Sequence, residues 1–262
     1  VGGVYLTLIM GWWLLTARHS HTLEAERAQI TSILGLASFW GILLLVMYLA
    51  LEPYMRRRWP ERLSSWNRLL SGRFADPLVG RDLLFGVGIG TVMALILKVN
   101  ALGSGTFVMS MSIAEITCPD VTIGMLLGLL SVALVRMVWG FGYLIIFSLV
   151  LRREWLALLL LAVIVAGNVQ IASPTIDQSR WIAWVGCGVY AALVVLTIAK
   201  FGLVTTVAAH FTVAAINVMP ITTNPQSWYA GTAAMSAGVL IALAVFGFFV
   251  SLSGQQRIPD EF

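Results

Sequence analysis

Eight long apolar stretches dominate this sequence and constrain its fold more than any other feature. They are bounded by charged residues, Pro, Gly or Asn, and they lie at 4–17, 30–51, 83–102, 122–151, 155–172, 180–199, 201–218 and 228–252. A helix needs about 20 apolar residues to cross the hydrocarbon core of a bilayer. The sequence therefore predicts an all-α, polytopic integral membrane helix bundle with about eight transmembrane helices.

The composition argues against a water-soluble domain. Of the 262 residues, 59% are apolar and 11% are charged, whereas globular proteins carry about 25% charged residues. The net charge is +4, but the basic residues lie beside apolar stretches, where anionic lipid headgroups are the expected partner. We therefore predict the lipid bilayer as the main partner, and no nucleic acid.

The positions of lysine and arginine predict the orientation, because basic loops stay on the cytoplasmic side. The connection 52–82 carries Arg56, Arg57, Arg58, Arg62, Arg68, Arg73 and Arg81, whereas 103–121 carries no lysine or arginine. The alternation continues to Arg257, and only Arg18 and Arg27 depart from it. The prediction is a multi-pass protein of the inner (plasma) membrane with both termini cytoplasmic.

These spans and connections divide the chain into four parts. Two transmembrane helices occupy 1–51, a cytoplasmic connection occupies 52–82, a six-helix bundle occupies 83–254, and a cytoplasmic tail occupies 255–262. The stretch 201–218 is less apolar than its neighbours, because it carries Gly202, His210 and Asn217 and is followed by Pro220. It is either a lipid-facing span, a helix buried in the bundle, or a re-entrant segment.

The connection 52–82 mixes basic and aromatic residues at helical spacing, which favours a short amphipathic helix on the lipid headgroups. Asp76-Pro77 is predicted to break that helix before Arg81-Asp82 cap the next span. The alternative is a solvated loop that only fixes the topology. The candidates for contact with lipid or with a docked cytoplasmic domain are Arg56, Arg57, Arg58, Trp59, Trp66, Arg68, Arg73 and Arg81.

Three short motifs in this connection carry a resemblance to a known family. Glu52-Pro53-Tyr54 precedes Arg56-Arg57-Arg58-Trp59-Pro60, Ser65-Trp66 precedes Arg68-Leu69-Leu70 and Gly72-Arg73, and Asp76-Pro77 precedes Val79-Gly80-Arg81-Asp82. The run resembles the membrane region that follows the catalytic domain in a group of bacterial transmembrane serine/threonine protein kinases. Ser227 to Gly231 and Phe246 to Gly254 look like the closing span of that family.

The resemblance implies a membrane anchor and sensor in signal transduction, with a kinase domain before Val1 and a second copy of the chain as a further partner. The chain itself carries none of the motifs that a kinase needs for phosphoryl transfer. Gly86-Val87-Gly88-Ile89-Gly90-Thr91 lies within an apolar stretch, where small residues favour close helix packing. We therefore predict no catalytic residues and no cofactor in this chain.

Polar and ionisable residues at membrane depth support a different function. Arg136, Lys98, His210 and Asn217 lie within apolar stretches, and such residues often line transport pathways. The main alternative is therefore a small-molecule or ion transporter.

A weaker alternative is an intramembrane metalloprotease, since Glu52 and Arg56 have the spacing of its motif, but Pro53 replaces the second glutamate. Only one intramembrane histidine is present, whereas catalytic zinc takes about three protein ligands, so no metal site is predicted.

Overall fold

The computed structural model describes residues 1–17, 22–103, 119–172 and 180–253, and in these ranges every regular element is helical. The α-helices are α1 (Gly2–Thr16), α2 (Leu23–Arg58), α3 (Ser64–Leu70), α4 (Pro77–Gly103), α5 (Pro119–Leu151), α6 (Glu154–Ala172), α7 (Arg180–Leu196), α8 (Leu203–Val218) and α9 (Ala230–Leu252). A 3₁₀ turn covers Pro60–Leu63, and a π turn covers Thr197–Phe201. The prediction of an all-α protein is confirmed.

Among the described residues, five helices are long and apolar enough to cross a membrane: α2, α4, α5, α7 with its π turn, and α9. The other three large helices, α1, α6 and α8, are apolar but shorter. Each of the eight predicted stretches falls on one of these helices. The predictions for 104–118, 173–179 and 254–262, and those for Arg18 and Arg257, lie outside the described residues.

Helix α8 occupies the centre of the bundle. Every residue from Leu203 to Ala215 is buried, and the helix packs against α4, α5 and α3. Of the three possibilities for 201–218, the structure matches a helix buried within the bundle. The reason is chemical, because this helix carries several polar side chains that would be costly to expose to lipid.

Helices α4 and α8 approach so closely that their contact requires glycine on α4. A Cβ at Gly86 would lie 2.5 Å from Ala208 Cβ, and one at Gly90 would lie 2.6 Å from the carbonyl oxygen of Ala209. A Cβ at Gly88 would meet nothing within 4 Å. The predicted packing role is confirmed for Gly86 and Gly90, which lie one turn apart on the same face.

The second helix is longer than predicted. It passes through Pro53 and ends at Arg58, whereas the sequence suggested an end at residue 51. A proline removes one backbone hydrogen bond but need not end a long helix. The part of 52–82 that lies outside α2 and α4 is therefore only 59–76.

Candidate functional site at the arginine-rich end

The segment between α2 and α4 is folded over almost its whole length. The 3₁₀ turn leads directly into α3, and Gly72 follows α3 with a positive φ of 79°. Helix α3 ends at Leu70, before the predicted break at Asp76-Pro77, and the predicted cap is wrong. Asp76 itself caps α4, because its Oδ1 accepts a hydrogen bond of 3.0 Å from the Leu78 N–H, and Pro77 suits the first helical position.

The two tryptophans of this segment lie in the interior. Trp59 is 9% exposed and Trp66 is 4% exposed, and Leu63 between them is 1% exposed. Leu63 and Trp66 are three residues apart and so share the inward face of the segment. The prediction that both tryptophans contact lipid headgroups therefore does not describe the structure, since their rings pack into the protein core.

Arg62 connects this segment to α6. Its guanidinium lies 4.4 Å from the centre of the Trp59 ring, and its Nη2 donates to Glu154 Oε1 at 3.4 Å. The side chain is only 13% exposed. Burial lowers the pKa of the Arg62 guanidinium from its ordinary value, and the Glu154 carboxylate opposes that shift. The aromatic ring and the carboxylate together stabilise a cation that is largely removed from water.

Gly202 brings the same segment against the turn between α7 and α8. Its φ of 100° and ψ of −167° belong to a region that is essentially restricted to glycine. A Cβ at this position would lie 2.6 Å from the carbonyl oxygen of Arg62. The Gly202 oxygen also accepts hydrogen bonds from the Thr206 N–H at 3.2 Å and the Thr206 hydroxyl at 2.7 Å. We call Trp59, Arg62, Glu154 and Gly202 the Arg62 junction.

A second contact joins the start of α4 to α8. Asp82 is buried, and its carboxylate accepts hydrogen bonds from Arg81 at 3.0 and 3.1 Å. The Thr205 hydroxyl donates to the Asp82 carbonyl oxygen at 3.0 Å. The first turn of α8 is therefore held both by the Arg62 junction and by α4.

The outer surface at this end is basic. Arg56, Arg57, Arg58 and Arg73 are exposed. Arg56 pairs with Glu52 at 2.5 Å, and the half-buried Arg68 pairs with Asp76 at the same distance. Arginine side chains are thus presented to the surroundings on one side of the segment, while the tryptophans face the protein.

The four intramembrane polar candidates lie on three helices. On α8, His210 Nδ1 donates to the Thr206 carbonyl at 2.9 Å and Asn217 donates to the Val213 carbonyl at 2.9 Å. Arg136, exposed on α5, is near enough to the buried His210 to interact with it electrostatically. Lys98 is half-buried on α4. Within the described ranges, no hydrogen bond or ion pair joins these four side chains to one another.

The described residues contain no cluster of three His, Cys, Asp or Glu side chains that could hold a metal ion. Glu52, the glutamate with the spacing of the metalloprotease motif, pairs with Arg56 one turn later on the same helix.

The sequence did not reveal which residues fix the connection to the bundle. These are Arg62, through its side chain, together with Glu154 and Gly202. The first two are separated by 92 positions, so their pairing is a tertiary feature. The only local signal was Trp59, three residues before Arg62, which is the spacing of neighbours on a helix face.

Comparisons with models of protein families, with curated proteins and with solved structures find no match for this chain.

Proposed function

We propose that this chain is the membrane anchor and sensor region of a bacterial protein that resembles serine/threonine kinases, and that it is not catalytic in itself. In this proposal the bundle crosses the inner membrane eight times, and both termini and the connection 52–82 are cytoplasmic. One observation carries the proposal most strongly. The segment whose motifs resemble the kinase family packs against α6, α4 and the turn before α8. A loop that only fixed the topology would not need these contacts.

The proposed signal runs from α8 to the connection. A buried helix held by close contacts shifts as a unit, and a shift of its first turn would press Gly202 against the Arg62 carbonyl. The 3₁₀ turn and α3 would then move relative to the exposed arginines on the surface. A cytoplasmic domain or anionic headgroups bound to Arg56, Arg57 and Arg58 would sense that displacement.

The first test is the reading frame upstream of the Val1 codon in the source genome. The proposal expects an in-frame kinase domain with a glycine-rich loop, a strand lysine and a catalytic-loop Asp and Asn. A start codon directly before Val1, with no such domain, would remove the kinase proposal.

The second test measures autophosphorylation of the full-length protein in membranes. Removal of the Arg62 side chain in Arg62→Ala should change the basal rate several-fold, and so should the triple charge reversal R56E, R57E and R58E. Arg153→Ala is the matched control, because Arg153 is an exposed arginine at the same end of the bundle but lies outside this connection. Unchanged rates in both Arg62→Ala and the triple variant would contradict transmission through this connection.

The topology can be tested separately with single cysteines in a variant that lacks the two native ones. Cysteines at positions 57 and 73 should resist an impermeant maleimide in intact cells and should react after the cells are opened. Labelling of either position in intact cells would reverse the proposed orientation.

A transporter is the second candidate, because the central helix carries buried polar side chains at membrane depth. Thr205, Thr206, His210 and Thr212 are all buried on α8. In proteoliposomes that contain a pH-sensitive dye, a transporter that moves protons would acidify or alkalinise the lumen, and His210→Ala would abolish that flux. The anchor proposal predicts no flux in either protein.

A further inference from the structure

Arg136 lies near the middle of the bilayer if α5 crosses the membrane. It is fifteen residues before the end of α5 at Leu151, which is about 22 Å along the helix axis. The charged residues Arg152, Arg153 and Glu154 follow at the turn into α6 and belong at the level of the headgroups. Since the hydrocarbon core is about 30 Å thick, with several ångströms of interface on each side, Arg136 falls close to its centre.

The side chain of Arg136 is on the outside of the bundle. Val132, one turn before it, is exposed, and so are Ile146 and Val150 further along the same helix. Between them lies a half-buried aromatic row in which Trp139 and Tyr143 are 5.6 Å apart and Tyr143 and Phe147 are 5.9 Å apart. The spacing of three and four residues places this row and Arg136 along one side of α5.

Within the described residues, no acidic side chain forms an ion pair with Arg136. Its electrostatic neighbours are Tyr190 on α7 and His210 on α8, neither of which is an anion. The ion pairs within the described residues use Arg56, Arg62, Arg68 and Arg81. In those same ranges, every acidic residue lies within about two turns of a helix end, far from the level of Arg136.

The adjacent helix adds a second polar group at the same depth. Asn168 is fourteen residues after the start of α6 at Glu154, or about 21 Å along the axis. Helix α6 packs against α5 and follows it after a turn of only two residues, so the two helices form an antiparallel hairpin. Asn168 is exposed, and one of its amide hydrogens is donated to the Ile164 carbonyl at 2.8 Å.

We propose that the face of α5 and α6 centred on Arg136 binds a transmembrane helix of another protein that carries a carboxylate at the middle of the membrane. An arginine at the centre of a membrane helix is costly, and a carboxylate offsets that cost with charge-assisted hydrogen bonds. A second copy of the chain does not fit this site, because its described acids lie near helix ends. The partner is therefore a different membrane protein with an acidic span.

The test uses a polyleucine single-span peptide with one Glu at its centre. Its association with the full chain is measured by energy transfer in phosphatidylcholine liposomes, and the matched peptide carries Leu in place of Glu. The Glu peptide should bind about tenfold more tightly, in line with 1 to 2 kcal/mol for a polar contact between membrane helices. Arg136→Leu and Arg136→Gln should remove this preference, and Arg136→Lys should retain most of it.

Lys98→Leu is the control variant, because it removes a cation from another helix and should leave the preference unchanged. Equal binding of the two peptides, or a preference that survives Arg136→Leu, would overturn the proposal. Two further outcomes would overturn it by identifying another occupant. Energy transfer between two labelled copies that depends on Arg136 would identify self-association, and a preference lost when phosphatidylglycerol is added would identify an anionic headgroup.

Discussion

Helices α8 and α2 show opposite relations between polarity and burial. Helix α8 carries Thr205, Thr206, His210 and Thr212, yet the bundle surrounds it on every side. Helix α2 has the apolar character of a long span, yet it presents mostly exposed side chains, such as Phe39, Ile42 and Val46. Lipid tails are as apolar as leucine, so a large apolar side chain gains little free energy by exchanging contact with lipid for contact with another helix. Small and polar residues favour contacts between helices.

The same contrast extends to the ends of the two helices. The first turn of α8 is held by the Arg62 carbonyl at Gly202 and by Asp82 at Thr205. The last turns of α2 carry the exposed Arg56, Arg57 and Arg58. The arginine-rich end therefore combines a constrained inner part with an accessible outer part, and substitutions should have larger effects on the inner part.

Gly202→Ala should have the largest effect on the inner part. It would place a Cβ 2.6 Å from the Arg62 carbonyl oxygen in a backbone conformation with φ of 100°, and we expect a loss of about 3 kcal/mol or more in the free energy of unfolding. Gly72→Ala is the matched control, because Gly72 has φ of 79° and a Cβ there would meet nothing within 4 Å. It should cost about 1 to 2 kcal/mol. Unfolding by SDS in mixed micelles measures both, and equal losses would show that the contact with Arg62 is unimportant.

Gly90→Ala tests the close approach of α4 to α8. Its Cβ would lie 2.6 Å from the Ala209 carbonyl oxygen and 2.8 Å from Thr212 Cβ, so the helices must separate, at a cost of about 1 to 3 kcal/mol. Gly88→Ala changes the same helix where a Cβ meets no neighbour, and it should be neutral or stabilise the helix by up to about 1 kcal/mol. A destabilisation by Gly88→Ala as large as that by Gly90→Ala would contradict the central position of α8.

Arg62→Ala should have a moderate effect. It removes the contact with the Trp59 ring and the ion pair with Glu154, for an expected loss of about 1 to 2 kcal/mol. Arg73→Ala removes an exposed arginine of the same segment and should stay within about 0.5 kcal/mol. If Glu154→Gln and Arg62→Ala gave fully additive losses in the double variant, the two side chains would not be coupled.

Phe39→Leu on α2 should have the smallest effect. Phe39 is 61% exposed on the lipid side of that helix, and the change replaces one large apolar side chain with another. We expect a change within about 0.5 kcal/mol in the same SDS titration. A loss above about 1 kcal/mol would mean that another protein segment covers this face.

Much of the fold could be predicted from the sequence. The lengths of apolar sequence predicted a helix at each of the eight positions, and Gly202, His210 and Asn217 marked 201–218 as less apolar than its neighbours. The small residues of the run from Gly86 to Thr91 predicted a packing face, because small side chains on a membrane helix allow close approach. These features depend on local pattern alone.

The candidate site could be predicted only in part. Basic and aromatic residues marked 52–82 as distinctive, but the direction in which Trp59 and Trp66 point depends on neighbours far along the chain. The contact of Gly202 with Arg62 and the pairing of Arg62 with Glu154 join residues more than 90 positions apart. Helical periodicity cannot specify such pairs, and it also placed the cap of α4 six residues too late, at Asp82 instead of Asp76.

Amide hydrogen exchange of the full chain in lipid nanodiscs tests the central claim most directly. If 59–70 is fixed on the bundle through Trp59, Arg62 and Trp66, its amides should exchange at least a hundredfold more slowly than those of an unstructured peptide of the same sequence. The amides in the first turn of α8 should be protected from exchange to a similar degree. Exchange of 59–70 at the rate of the free peptide would mean that this segment is a solvated loop, and it would contradict the proposed route from α8 to the cytoplasmic surface.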